Sequence, residues 1–110
     1  MIKAVFWTYS GNYLGFDITG HSMHSESGSD IVCAAVSAMT MLVVNTVCEV
    51  YVQKAAVNVN EDNVSVSFLL KNSHQPSMGL IKGFFEELKS LQRDYPENIN
   101  VTVKNSTERE

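Results

Sequence analysis

Residues 2–9 are rich in β-branched and aromatic side chains. After Ser10-Gly11-Asn12 the pattern alternates, with Leu14, Phe16 and Ile18 on one face and Tyr13, Asp17 and Thr19 on the other. Two such runs around a short Gly/Asn turn predict a β-hairpin with one buried and one wetter face. Residues 31–47 then form an almost continuous apolar run. It is too long for a strand, and Ala34, Ala35, Ala38, Met39, Met41 and Leu42 favour helix. Ser29 or Asp30 is the expected N-cap. Because apolar residues occur almost all round it, this helix is expected at the centre of the fold. Residues 50–59 and 64–70 predict a second hairpin around Glu61-Asp62-Asn63, with Val64, Val66, Phe68 and Leu70 on one face and Ser65 and Ser67 on the other. Ser77 is the expected cap of a second helix over 78–94. Its stripe is Leu80/Ile81, Phe84, Leu88 and Leu91, with Lys82, Glu86, Lys89 and Arg93 on the wetter side. Ile99, Val101 and Val103 alternate as a last strand, and 105–110 is expected as a frayed polar tail. The order ββα-ββα-β predicts an α+β fold in a single domain, 1–110: a mostly antiparallel sheet with two packed helices.

Composition narrows the partners. The 110 residues suffice for a core without staples. Twelve acidic against eight basic residues give a net charge of −4. There is no Lys/Arg cluster, so the electrostatic footprint of a nucleic-acid binder is missing and no direct nucleic-acid partner is expected. A basic or neutral partner suits this surface better. The stretch Met1-Ile2-Lys3-Ala4-Val5-Phe6-Trp7 lacks the regions of a signal peptide. The run 31–47 approaches a membrane span in length. However, Cys33, Ser37, Thr40 and Asn45 interrupt it and it lacks basic flanks, so it is read as a core helix with no membrane partner. Cys33 and Cys48 lie on that helical stretch about 22 Å apart, far beyond disulfide reach. A reduced, cytoplasmic setting is expected.

The chemistry concentrates between residues 20 and 37. Cys33 is expected three or four residues into the helix, where unpaired N–H groups and the positive dipole end favour a thiolate. A small core residue in an apolar helix is the plainer role for the same cysteine. His21 follows Gly20 at a strand end and precedes a loop that returns to the helix start, so its imidazole can approach the sulfur as a base. A surface histidine at a strand end is the alternative. Gly20 suits a close backbone approach or a positive φ. Asp30 is a helix cap or the residue that orients His21. Ser37, one turn beyond Cys33, either donates a hydrogen bond near the sulfur or bonds back to a carbonyl. His24 is the competing base in mid-loop. His21, His24, Glu26 and Cys33 do not have the spacing of a zinc site. Gly28 has no phosphate-loop partners around it. His74 and Cys48 are expected to be structural.

The pattern Gly20-His21, a short variable loop, then Gly28-x-Asp30-Ile31-Val32-Cys33-Ala34-Ala35-Val36-Ser37 resembles the signature of the bacterial ribosomal-processing cysteine protease family, Prp. Length, N-terminal hairpin and second amphipathic helix fit as well. The resemblance implies a cytoplasmic cysteine endopeptidase that removes the N-terminal extension of large-subunit ribosomal protein twenty-seven, a basic protein, during ribosome assembly. It implies a His21–Cys33 pair, Asp30 and Ser37 in support, a homodimer and no cofactor. Gly20, Met23, Glu26 and Gly28 belong to a loop expected to border the substrate, with Met23 as an apolar contact and Glu26 facing a basic residue. The competing function is a non-catalytic ribosome-associated binding module, with His21 and Cys33 merely structural. A redox or sulfur-transfer role lacks a C-x-x-C partner.

Overall fold

Ser10 and Gly11, at φ of 50° and 78°, make the two-residue turn that joins β1 (Ile2–Tyr9) to β2 (Asn12–Thr19). Two successive positive φ values match the right-handed twist of an antiparallel pair. The structure, a computed structural model, describes residues 1–20, 27–60 and 65–109. Beyond the hairpin, α1 (Ser27–Asn45) runs into a π-helical turn, Thr46–Val50. Then come β3 (Ala55–Asn60), β4 (Ser65–Leu70), α2 (Gln75–Asp94), β5 (Ile99–Asn105) and a 3₁₀ turn, Ser106–Glu108. The five strands form one sheet in the order β3-β4-β2-β1-β5. All pairs are antiparallel except β1 with β5, which run parallel from Ile2↔Ile99 to Thr8↔Asn105. Both helices pack on one face of the sheet. The α+β architecture with ββα-ββα-β order is the expected one.

The core follows from strand register. Phe6 on β1 faces Phe16 on β2, and Phe16 faces Phe68 on β4, so three buried rings form a row across the central strands. Phe16 stacks on Phe68 at 5.2 Å, and Phe84 of α2 meets Phe6 and Phe16 edge-on at 5.4 and 5.1 Å. Each such pair contributes about 0.5–1.5 kcal/mol beyond its burial. Val32, Val36, Val43 and Val47 close the row from α1 and its π turn, while Met78, Ile81 and Leu88 close it from α2. Thr40 is buried in the same stripe, and its hydroxyl donates to Val36 O at 2.6 Å.

Several expectations are corrected. Trp7 pairs with Gly15 but Thr8 with Tyr13, so Leu14 is the extra residue of a β-bulge. The bulge moves Tyr13 to the helix side, where its ring lies 5.1 Å from Phe85 and 6.4 Å from Phe6. Strict alternation had placed it on the opposite face. Gly15, beside the bulge, is required by sheet packing: a Cβ there would stand 2.1 Å from Phe68 O. The strand expected from residue 50 begins only at Ala55. The helix continues through its π turn, and Val52 turns the chain at φ 54° while Gln53 N–H donates to Val47 O at 2.9 Å. The turn 61–64 lies outside the described residues. Helix α2 starts at Gln75, capped by His74 rather than Ser77. Helix α1 is not enclosed all round, since Ile31, Met41 and Leu42 are 55%, 41% and 62% exposed. Its length and apolarity match a membrane span from Ile31 to Val50, but its valine stripe is closed against the sheet.

The C-terminal residues also depart from a frayed tail. Asn105 ends β5, and its side chain accepts from Thr107 N–H at 3.0 Å. Arg109 N–H donates to Ser106 O, and the Arg109 side chain folds back over the outer face of the sheet.

Candidate active site

Strand β2 ends at Thr19, and Gly20 then turns the chain at φ 90°. A Cβ on Gly20 would lie 2.3 Å from Met1 O, so the residue meets both reasons anticipated for glycine there. Seven positions on, α1 begins at Ser27. The expected site residues His21, Met23 and Glu26, and the competing base His24, lie between these points, outside the described residues.

Four expected site residues belong to α1: Gly28, Asp30, Cys33 and Ser37. Asp30 precedes Cys33 by three positions and Ser37 follows it by four, so these three share one side of the helix. Cys33 is half-buried and packs against the core, whereas Ser37 is exposed. Both cysteines are free thiols. The sulfur is thus carried at the border between the valine stripe and solvent, positioned by a helix that the core holds rigid.

The helix start itself is corrected. Because α1 begins at Ser27, Gly28, Ser29 and Asp30 lie inside its first turn, and neither Ser29 nor Asp30 is the cap. Cys33 falls in the second turn. The free N–H groups of a helix are those of its first four residues, so Cys33 N–H belongs to the hydrogen-bonded part. The dipole effect also fades beyond the first turn. The start of α1 therefore supports Cys33 mainly by placing it rather than by its own unpaired amides.

Of the remaining candidates, His74 caps α2, and Cys48 lies beyond the end of α1. Cys48 sits in the π turn, where burial and then the neighbouring Glu49 push its thiol up. Ser77 N–H donates to Nδ1 of His74 at 3.3 Å, and the Ser77 hydroxyl lies 2.7 Å from the same nitrogen. The imidazole rests 5.5 Å from the Tyr51 ring. Among the described residues no three His, Cys, Asp or Glu side chains could hold a metal.

On the other side of α1 an apolar groove of about 320 Å³ runs between the helices, lined by Met39, Leu42, Val43, Leu80 and Phe84. Gly79 and Gly83, one turn apart on α2, leave its wall open.

A model of the cysteine protease Prp family matches residues 1–100. The chain is 33% identical over 95 residues to the ribosomal processing cysteine protease Prp of Bacillus subtilis, covering 82% of this chain and 85% of that one. It is 27% identical over 86 residues to the Staphylococcus aureus protein of the same name, covering 77% and 81% of the two chains. The fold superposes on a crystal structure of an S. aureus Prp with a substrate peptide at a TM-score of 0.87 and 22% identity, covering 94% of this chain and all of the other. SMU.848 of Streptococcus mutans gives 0.85 at 24% identity, covering 96% and 95%.

Proposed function

This chain belongs to the cysteine protease Prp family, and from that premise we propose that it is a cytoplasmic endopeptidase that uses a Cys33–His21 pair to trim a ribosomal protein. The observation that carries the proposal is the family match over residues 1–100, which spans the Gly20-His21 and Asp30-Ile31-Val32-Cys33 segments. Cys33 Sγ attacks the peptide carbonyl, and the proton passes through the His21 imidazole to the leaving amine. Water then hydrolyses the acyl-enzyme with His21 as base, restoring the thiol. Asp30 and Ser37 share the Cys33 side of α1 and serve as supporting residues. The substrate is the N-terminal extension of a basic large-subunit ribosomal protein, in keeping with the net charge of −4.

The working unit in this reading is a homodimer. Its support is the outer face of α1. From Ile31 to Cys48 the chain carries no charged residue, and Ile31, Met41 and Leu42 are exposed. Leu42 also edges the apolar groove. A second copy buries such a face with its own equivalent in a two-fold contact.

A peptide spanning the extension junction, followed by mass spectrometry, tests the function. Wild type is expected to cleave it. Cys33→Ala and His21→Ala are expected to keep their circular dichroism and lose turnover by at least 10²-fold, in the usual range for acid–base partners. His24→Ala, His74→Asp and Cys48→Ser are expected to retain most cleavage. Binding of the peptide by wild type without any cleavage would favour the non-catalytic binding module instead.

A further inference from the structure

The outer face of the sheet, away from both helices, holds a polar cluster that peptide hydrolysis does not use. Trp7 on β1, Asp17 on β2 and Ser67 on β4 alternate with the buried phenylalanines and point the other way. Asp17 lies directly opposite Ser67, and the Trp7 indole N–H donates to Asp17 Oδ2 at 3.0 Å. Arg109 covers them. Its Nη2 donates to Ser67 Oγ at 3.0 Å, and its guanidinium carbon stands 6.0 Å from the centre of the Trp7 ring. To get there the chain leaves the edge strand β5 and crosses β1 and β2 to reach β4, about 14 Å at the usual strand spacing. Trp7 is only 8% exposed as a result.

An aromatic face beside a carboxylate and a hydroxyl is what recognises a guanidinium. The fit of Arg109 is nonetheless incomplete. Asp17 Oδ1 and Arg109 Nε are both buried, and neither has a hydrogen-bond partner. A planar guanidinium can present Nε–H and an Nη–H side by side to one carboxylate. Arg109 does not, because the turn Ser106–Glu108 and the bond from Arg109 N–H to Ser106 O fix where its side chain starts. An arginine from elsewhere, free of that tether, brings an Nε–H that can meet the orphaned Asp17 Oδ1.

We propose that the Trp7–Asp17–Ser67 cluster is a binding site for an arginine side chain of a basic peptide, and that Arg109 is a built-in occupant which such a peptide displaces. The site is independent of the chemistry at Cys33, so its test does not depend on cleavage. The acidic balance of the chain, twelve residues against eight, favours the approach of a basic ligand.

Trp7 is the single tryptophan, so its emission reports the site directly. The full chain is titrated with N-acetyl-arginine amide and, separately, with N-acetyl-lysine amide. An occupant that fills the site nine-tenths of the time weakens apparent affinity roughly tenfold. Arg109→Ala is therefore expected to bind the arginine probe about tenfold more tightly than wild type. Arg109→Gln, which keeps much of the side-chain stem, serves if the alanine variant does not fold. Adding Asp17→Asn to either variant is expected to abolish the gain, and the lysine probe is expected to bind more weakly because it cannot fork. If emptying the Arg109 position leaves affinity for the arginine probe unchanged, or if Asp17→Asn has no effect, the proposal is wrong.

Discussion

His74 is the residue on which α2 depends most locally. Its Nδ1 serves both the Ser77 amide and the Ser77 hydroxyl, and Ser77 is fully buried. His74→Ala removes a cap and strands a buried hydroxyl, an expected loss of about 1–3 kcal/mol. His74→Asp restores an acceptor and is expected to recover most of it in a thermal melt. The sequence placed the cap at Ser77 because serine is a commoner cap; the identity of the acceptor is decided by which side chain can turn back onto the first turn, and composition does not show that. Tyr13 gives a pH-dependent counterpart. Burial, then Glu86, raises its pKa above the usual 10.0. The native state thus holds this proton more tightly than the unfolded chain. Its contribution is complete below the unfolded value and is lost as pH rises through the native one. Alkaline titration of stability should fall above pH 10 in wild type and fall less in Tyr13→Phe.

At the scale of elements, α2 and β2 make opposite use of glycine. Gly79 and Gly83 lie within α2 with open space where a Cβ would be. Alanine at either is expected to stabilise by about 0.5–1 kcal/mol, since glycine is costly inside a helix. In a domain of this size that raises the melting temperature by several degrees. Gly15→Ala is expected to do the reverse and destabilise by more than 1 kcal/mol, because β4 passes against it. Periodicity made the two helices, the first hairpin, the β4 face of Phe68 and Leu70 and the last strand legible. It missed the bulge at Leu14, because an extra residue leaves no compositional mark and shows only once Tyr13 finds Phe85. It also missed the π turn, since the valines of 47–52 suit strand and helix alike. Within the site, the family motif pointed to Cys33 and to Gly20, whose geometry explains itself. The position of the helix start was beyond a reading that could only seek a capping side chain.

For the whole molecule, the proposed dimer rests on the charge-free outer face of α1, where Ile31, Met41 and Leu42 are exposed. Leu42→Glu places a carboxylate on that face and is expected to shift sedimentation from dimer toward monomer, with circular dichroism unchanged. A wild type that sediments as a monomer at every concentration would remove the dimer from the proposed function. Sheet order carries a different consequence. β1 sits between β2 and β5, and its partner Ile99 follows Ile2 by 97 positions. β1 is synthesised well before β5 and therefore waits for it before its second row of backbone hydrogen bonds exists. Until residues 99–105 emerge, β1 is a bare edge, open to pairing with any other extended chain. Non-local pairing of this kind is slow to form, so a nascent chain can complete its Cys33 helix early and still lack a finished sheet for it to rest on.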